Sequence, residues 1–275
     1  MSNDPEVAST LNRLMRLLGL EHPTPTLGTL EQLVMAFVTR VPFENISKLY
    51  YLRRDGLRFI PDLETYVGGI EQYHFGGTCY SNNYYLHRLL THLGYDAKLC
   101  GADMNNPDVH LTNIVRLDGK EYLIDVGYAA PFLVPMPLDL NEDFVIELGR
   151  DSYRLRPRDE NGNSCMQMFR EGQLRHGYTV KPTPRHIQYF EKTIRNSFRD
   201  GQTFMNSVLL VRYYPNRSTM IHNLSIIKSV GTDYSIDELS GLDELPAAIE
   251  KYFSIPRDIV SVALSAVGEL GDSWT

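Results

Sequence analysis

The chain has 275 residues, 43% of them hydrophobic and 22% charged, enough apolar material for a substantial core in one large domain or in two to three small lobes. With 27 basic residues against 34 acidic ones the net charge is −7, which argues against broad electrostatic binding of nucleic acid or acidic membranes and favours a small-molecule partner. The N-terminal segment lacks the basic head and continuous apolar stretch of a signal peptide, no run approaches the ~18 apolar residues of a membrane span, and Cys79, Cys100 and Cys165 form neither a disulfide framework nor a CxxC metal pattern. A cytoplasmic protein with free thiols and no metal is expected.

Leu11, Leu14, Met15 and Leu18 recur at helical spacing, and Gly19 stands where a left-handed cap would end the helix. A second helix is expected from about Leu27, capped by Thr26 and ended by Pro42, with Leu30, Leu33, Val34 and Phe37 on its apolar face. A third pattern starts at "PDLETYVGGIEQ", and a fourth follows Cys79 with Leu86, Leu89, Leu90 and Leu93 on one stripe. Beyond Asp96 the period changes to two. The segments "KLCGADM", "VHLTNIVRL", "EYLIDV", "FVIEL", "SYRLRP", "CMQMF" and "LRHGYTV" read as short antiparallel strands between DG, GRD, NGN and EG turns. "RHIQYFEKTIRNSF" reads as helix, "SVLLVRYY" and "TMIHNLSIIK" as one hairpin around Pro215-Asn216-Arg217, and two helices, within 236–252 and 256–268, close the chain.

Two features carry chemistry. Cys79 follows two glycines and a threonine, at about the first residue of its helix if Thr78 is the N-cap, where unpaired N–H groups and the helix dipole favour a thiolate. The same N–H groups suit an oxyanion. A cysteine in such a place is more often plain core. The second feature is "VHLTNIVRLDGKEYLIDVG", in which Asp118-Gly119 makes a two-residue hairpin turn. If Leu117 faces Lys120, Asp125 faces Thr112 and lies diagonal to His110 on the same side of the sheet, at about 7–8 Å between backbones. A carboxylate bonded to one imidazole nitrogen leaves the other to take a proton from a thiol. A His and Asp sharing a hairpin face are also more often structural, and spacing alone does not bring Cys79 to them. The residues by themselves reach a candidate Cys-His-Asp triad.

With "VPFEN" at 41–45, "GGTCYSNN" at 76–83, "VHLTNIV" at 109–115, "YLIDVGYAAPFLVPMPL" at 122–138 and the later "SFRDGQTFMNSVLLVRYY", the sequence resembles the arylamine N-acetyltransferases over nearly its whole length. The resemblance implies an α+β multidomain fold with a papain-like cysteine core. It comprises a helical bundle over 1–95 that carries the nucleophile, an antiparallel β-barrel-like domain over 96–200 that carries the His and Asp, and an α/β lid over 201–275. It implies Cys79 as acetyl-accepting nucleophile, His110 as base, Asp125 as the residue that orients it, and Phe43 and Tyr128 as lining of the acceptor pocket. The implied reaction is ping-pong transfer from acetyl-CoA to an aromatic amine or hydrazine through an acetyl-cysteine, with no residue assigned to the CoA contacts. Three positions depart from the family pattern: Phe75 where arginine is usual, Ser81 where glutamate or glutamine is common, and Ala129 where glycine commonly follows. Glu44 then loses its usual partner, and a substitute cation, a water or a protonated Glu44 is expected.

The remaining candidates have plainer readings. Cys100 and Cys165 lie in alternating strands and are expected to be core or surface residues, His74 a solvated loop residue, and Asn83 a brace for its helix. His87 and His92 lie on an expected helix, and His176, His186 and His222 lack the spacing of metal ligands, so no metal site is expected. "FGGTC" lacks the lysine and spacing of a phosphate loop. The competing functions are a thiol hydrolase or amide synthase that uses the same triad, and a catalytically silent binding protein of the same fold.

Overall fold

In a computed structural model the described residues are 4–21 and 23–271, so the extreme ends of the expected first and last lobes lie outside them. The first third is helical, as its periodicity requires. Helix α1 (Pro5–Leu17) starts at Asp4, whose carboxylate accepts the Glu6 N–H, and Gly19 (φ +72°) turns the chain after it. Helix α2 (Leu27–Arg40) is capped by Thr26, whose hydroxyl accepts the Thr29 N–H at 3.2 Å. Strand β1 (Phe43–Glu44) is followed by an unexpected helix, α3 (Ile46–Asp55), then α4 (Leu63–Tyr73) and α5 (Cys79–His92). The α3 segment, "ISKLYYLRRD", has too weak an apolar stripe to announce itself. It is nucleated instead by Glu44, whose buried carboxylate accepts the Ser47 N–H at 2.8 Å.

Next come β2 (Asp96–Asp103), β3 (His110–Leu117), β4 (Lys120–Ile124), β5 (Met136–Pro137), β6 (Phe144–Leu148), β7 (Asp151–Leu155), β8 (Ser164–Arg170) and β9 (Gln173–Pro184). These form one eight-stranded, barrel-like sheet in the order β5-β4-β3-β2-β9-β8-β7-β6, antiparallel at every pairing. Asp118 and Gly119 both take positive φ, and Leu117 pairs with Lys120, so the β3–β4 register is the one that the turn demanded.

The last third departs from expectation in three places. Only residues 187–190, as a 3₁₀ turn, and α6 (Glu191–Asn196) are helical where a longer helix was expected. The expected single hairpin is a meander of β10 (Leu209–Tyr214), β11 (Arg217–His222), β12 (Ser225–Val230) and β13 (Asp233–Glu238). "TMIHNLSIIK" breaks at Asn223, which turns left-handed (φ +51°), and β13 occupies the start of the expected helical stretch because its fully exposed pattern carries no core signal. Helices α7 (Leu245–Phe253) and α8 (Arg257–Leu264) end the described chain.

Three apolar cores result. One joins α1, α2, α4 and α5 to β10 through Leu14, Phe37, Leu86 and Val211. A second joins α3 to the C-terminal helices through Leu49, Phe75, Ile249 and Phe253. The third fills the barrel-like sheet with Ile114, Leu123, Phe132, Leu155 and Met166. Strand β1 pairs with β10, opposite Val211 and Leu210, and so enters the five-stranded sheet β1-β10-β11-β12-β13.

Candidate active site

Helix α5 begins at Cys79 with Thr78 as N-cap, but the Thr78 hydroxyl makes no capping bond, so no side chain competes for the first-turn N–H groups beside the sulfur. The two preceding glycines are required by close packing. A Cβ on Gly76 would lie 1.9 Å from the Pro42 carbonyl oxygen, because this segment runs against β1: Glu44 N donates to Gly77 O at 3.1 Å, and Gly76 N donates to Glu44 Oε1 at 3.0 Å.

His110 opens β3 and Asp125 directly follows β4. Their side chains meet at 2.7 Å between Nε2 and Oδ2, both residues 2% exposed. The other Asp125 oxygen accepts the Asn83 amide at 2.8 Å and the Gly127 N–H at 3.0 Å. Asn83 reaches back from α5, donating also to the Leu111 carbonyl at 2.5 Å and accepting the Val126 N–H at 3.0 Å. It therefore braces more than its helix: it ties the helix to the hairpin at the carboxylate. Gly127 completes the junction, since a Cβ there would stand 2.6 Å from Cys79 Cα. Cys79, 8% exposed, lies near enough to His110 to favour its protonated form. The structure thus brings together the three residues whose proximity the spacing left open.

Burial alone would lower the His110 pKa, but the Asp125 charge, its hydrogen bond and the adjacent Cys79 sulfur outweigh it and hold the imidazolium up to about 10. Burial likewise raises Asp125, yet the His110 charge and the hydrogen bonds from His110 and Asn83 keep its carboxyl below the ordinary range. The buried pair favours its charged form.

Aromatic rings wall the site. Tyr128 and Tyr178 lie 5.6 and 4.8 Å from the His110 ring, and Tyr128 stacks on Phe132 at 5.8 Å. The Tyr128 hydroxyl and His176 Nδ1 are hydrogen-bonded; burial, then the Arg170 charge, push His176 down to about 4, so the imidazole is neutral. Phe43 packs edge-on to Phe204 at 5.7 Å, and its backbone bridges Gly77, two residues before Cys79. The roles of Tyr178 and His176 carry no signal in the sequence: both sit on β9, which pairs with β2 at long range, and nothing local in "LRHGYTV" points inward. Ala129 is buried, with its carbonyl held by the Tyr213 hydroxyl at 2.7 Å.

Phe75 packs among Tyr50, Tyr51 and Tyr73 with ring centroids 5.3–5.8 Å apart. An aromatic cluster therefore occupies the place of the family arginine. Among the described residues Glu44 has no cationic partner. Backbone N–H groups of Ser47 and Gly76 meet it, and burial raises its pKa. Of the expected outcomes, that is the direction of a protonated carboxyl. The lysine that feels the nucleophile is Lys48, which burial pushes down to about 7 against the opposing influence of Cys79. Its ammonium donates to Ser197 O at 2.7 Å, lies 4.4 Å from the Phe198 ring, and lines a narrow pocket beside Gly76, Thr78 and Tyr80.

Cys79, Cys100 and Cys165 are free, and Cys100 is fully buried with its thiol raised to about 12 by that burial. His74 is the exposed left-handed cap of α4. Among the described residues no group of His, Cys, Asp and Glu side chains is arranged to hold a metal, and no helix is long and apolar enough to cross a membrane.

A sequence profile for N-acetyltransferases matches residues 26–260. Among curated proteins, proansamycin X synthase of Amycolatopsis mediterranei is 36% identical over 118 residues, which cover 39% of this chain and 44% of that protein. An arylamine N-acetyltransferase of Mycolicibacterium smegmatis is 28% identical over 194 residues, 65% of this chain and 68% of that one. The first match thus spans less than half of its relative's length. The solved arylamine N-acetyltransferase of Mycobacterium abscessus shares the fold with a TM-score of 0.78 over 97% of this chain and 99% of its own, at 18% identity.

Proposed function

Since the chain belongs to the arylamine N-acetyltransferase family, we propose that it transfers an acetyl group from acetyl-CoA to a small aromatic amine or hydrazine by a ping-pong route through Cys79. The observation that carries this reading is the buried 2.7 Å His110–Asp125 bond, with Cys79 beside it at the head of α5. In the first half-reaction the thiolate attacks the thioester carbonyl, the carbon–sulfur bond to CoA breaks, and the departing CoA sulfur takes the imidazolium proton. In the second, the amine attacks acetyl-Cys79, a carbon–nitrogen bond forms, His110 accepts the amine proton, and the thiolate is released. Asp125 keeps the imidazole in the productive tautomer and offsets its charge. First-turn N–H groups of α5 face the developing oxyanion. Phe43 and Tyr128 line the acceptor side. The three lobes 1–95, 96–200 and 201–275 then supply nucleophile, base and cover respectively.

Mass spectrometry after mixing with acetyl-CoA tests the reading. One acetyl group is expected on Cys79, absent in Cys79→Ala and discharged by added arylamine. Acetylation that persists in Cys79→Ala sinks the proposal, and a complete lack of it in the wild-type chain points to a silent binder.

A second reading is an amide synthase in which Cys79 accepts an acyl group other than acetyl; a relative named as a synthase, proansamycin X synthase, is 36% identical over part of the chain. Supplying larger acyl thioesters, and following whether Cys79 loads them faster than acetyl-CoA, separates the two.

A further inference from the structure

On the flank of α5 away from its first turn, a cleft of about 640 Å³ opens between that helix, the start of α1 and the segment after β9. Its volume falls in the range of small-molecule sites, roughly 300–1,000 Å³. In a chain of net charge −7 the sign here is inverted: Arg88, Arg185, His87, His92 and His186 line the cleft, and Asp4 is the one acidic residue among its lining. The Asp4 carboxylate is already engaged at 3.0 Å with the Glu6 N–H that caps α1.

The two guanidinium groups have no carboxylate partner among the described residues, yet Arg185 is held in place. Its backbone N–H donates to Leu99 O at 2.8 Å, its guanidinium lies 4.5 Å from the Tyr189 ring, and the Tyr189 hydroxyl donates to Asp108 at 3.0 Å. A pre-oriented fork of this kind suits oxyanions that accept two bonds at once. His87 forms the inner wall, with its Nδ1 buried and lacking a completed hydrogen bond. Burial, then the Arg88 and His186 charges, hold its proton affinity below the usual value although Asn113 opposes them. Like charges crowded with Asp4 as the one counter-charge in the lining are relieved by a bound anion.

We propose that this cleft binds a small molecule through a phosphate group, with Arg88 and Arg185 as its ligands. A concave site of this size on an acidic protein selects a compact ligand over nucleic acid. Arg88 lies nine residues after Cys79, about 13 Å along the helix axis. The phosphate therefore belongs either to a separate phosphate ester or to the distant end of CoA itself.

Calorimetric titration of the full chain with inorganic pyrophosphate, at ~0.1 M salt where long-range attraction is screened, tests the site. One saturable site is expected, weakened at least tenfold in Arg88→Gln and, independently, in Arg185→Gln, with unfolding midpoints unchanged in the absence of pyrophosphate. Titration with CoA then identifies the source. If CoA displaces pyrophosphate and loses affinity in the same variants, the phosphates are those of CoA. If both bind together, the ligand is a separate phosphate ester. Absence of saturable pyrophosphate binding, or binding undiminished in both variants, overturns the proposal.

Discussion

Replacing Asp125 with asparagine keeps its shape and removes its charge. The carboxylate accepts three bonds, from His110 at 2.7 Å, Asn83 at 2.8 Å and Gly127 at 3.0 Å. An amide has only one oxygen for them, and its NH₂ group turned toward His110 makes Nε2 the acceptor. The proton then sits on the nitrogen that faces Cys79, which is the wrong tautomer for taking a thiol proton. An imidazole ordinarily near 6.5 and held up to about 10 corresponds to roughly 5 kcal/mol in favour of the imidazolium. Losing most of that lowers the rate of Cys79 acetylation by about three to four orders of magnitude. Rapid-quench mass spectrometry with acetyl-CoA reads this rate directly. Stability follows the same pair. His110, raised, contributes stability that is complete below about pH 6.5 and is lost as pH rises toward 10. Asp125, lowered, contributes stability that is present above about pH 3.9 and is lost as pH falls through its depressed value. The difference in denaturation free energy between wild type and Asp125→Asn is therefore largest between about pH 4 and 6.5 and shrinks toward alkaline pH. A folded Asp125→Asn chain that acetylates within tenfold of wild type, or a stability difference that grows above pH 7, refutes the reasoning.

Gly127→Ala forces a Cβ to 2.6 Å from Cys79 Cα; a loss of about 1–3 kcal/mol by denaturant titration and a drop in acetylation rate of at least tenfold are expected together. Asn83→Ala strips Asp125, Leu111 and Val126 of buried partners and should cost about 2–4 kcal/mol, with kcat falling more than KM rises. Tyr128→Phe removes only the bond to His176: the acetyl-CoA half-reaction should stay within a few-fold of wild type while the acceptor KM shifts, as steady-state kinetics with two arylamines will register. Lys48, lowered to about 7, binds fewer protons folded than unfolded between about pH 7 and 10.5. Wild type should therefore gain stability relative to Lys48→Met as pH climbs through that window, and an unchanged difference would mean that the ammonium is buried without penalty.

What the sequence disclosed depended on how local its cause was. Asp118 and Gly119 set the β3–β4 register by backbone sterics alone, so the His110–Asp125 alignment is legible in the residues of the hairpin themselves. Thr26, Gly19 and the leucine stripes fixed α1, α2 and α5 for similar reasons. Helix α3 stayed hidden because its first turn is satisfied by a side chain outside it, the buried Glu44. Tyr178 and His176 stayed hidden because they reach the site through the β9–β2 pairing, which no adjacent residue specifies. The Phe75 departure was visible as a missing arginine, but its resolution, a ring cluster on one side and backbone donors for Glu44 on the other, exists only in three dimensions.

Strand β1 is only two residues long, yet it touches Gly77 on one side and Leu210 and Val211 on the other. The loop that presents the nucleophile is thereby stitched to a strand made far later in synthesis. A nascent chain that has emerged through β9 holds Cys79, His110 and Asp125 but not β10, the strand that seats β1. Such long-range closure slows folding, and it leaves the loop that presents the nucleophile unsupported on its β1 side until β10 has been made. A truncated chain ending at residue 200 should accordingly contain Cys79, His110 and Asp125 and acquire acetyl at least tenfold more slowly than the full chain.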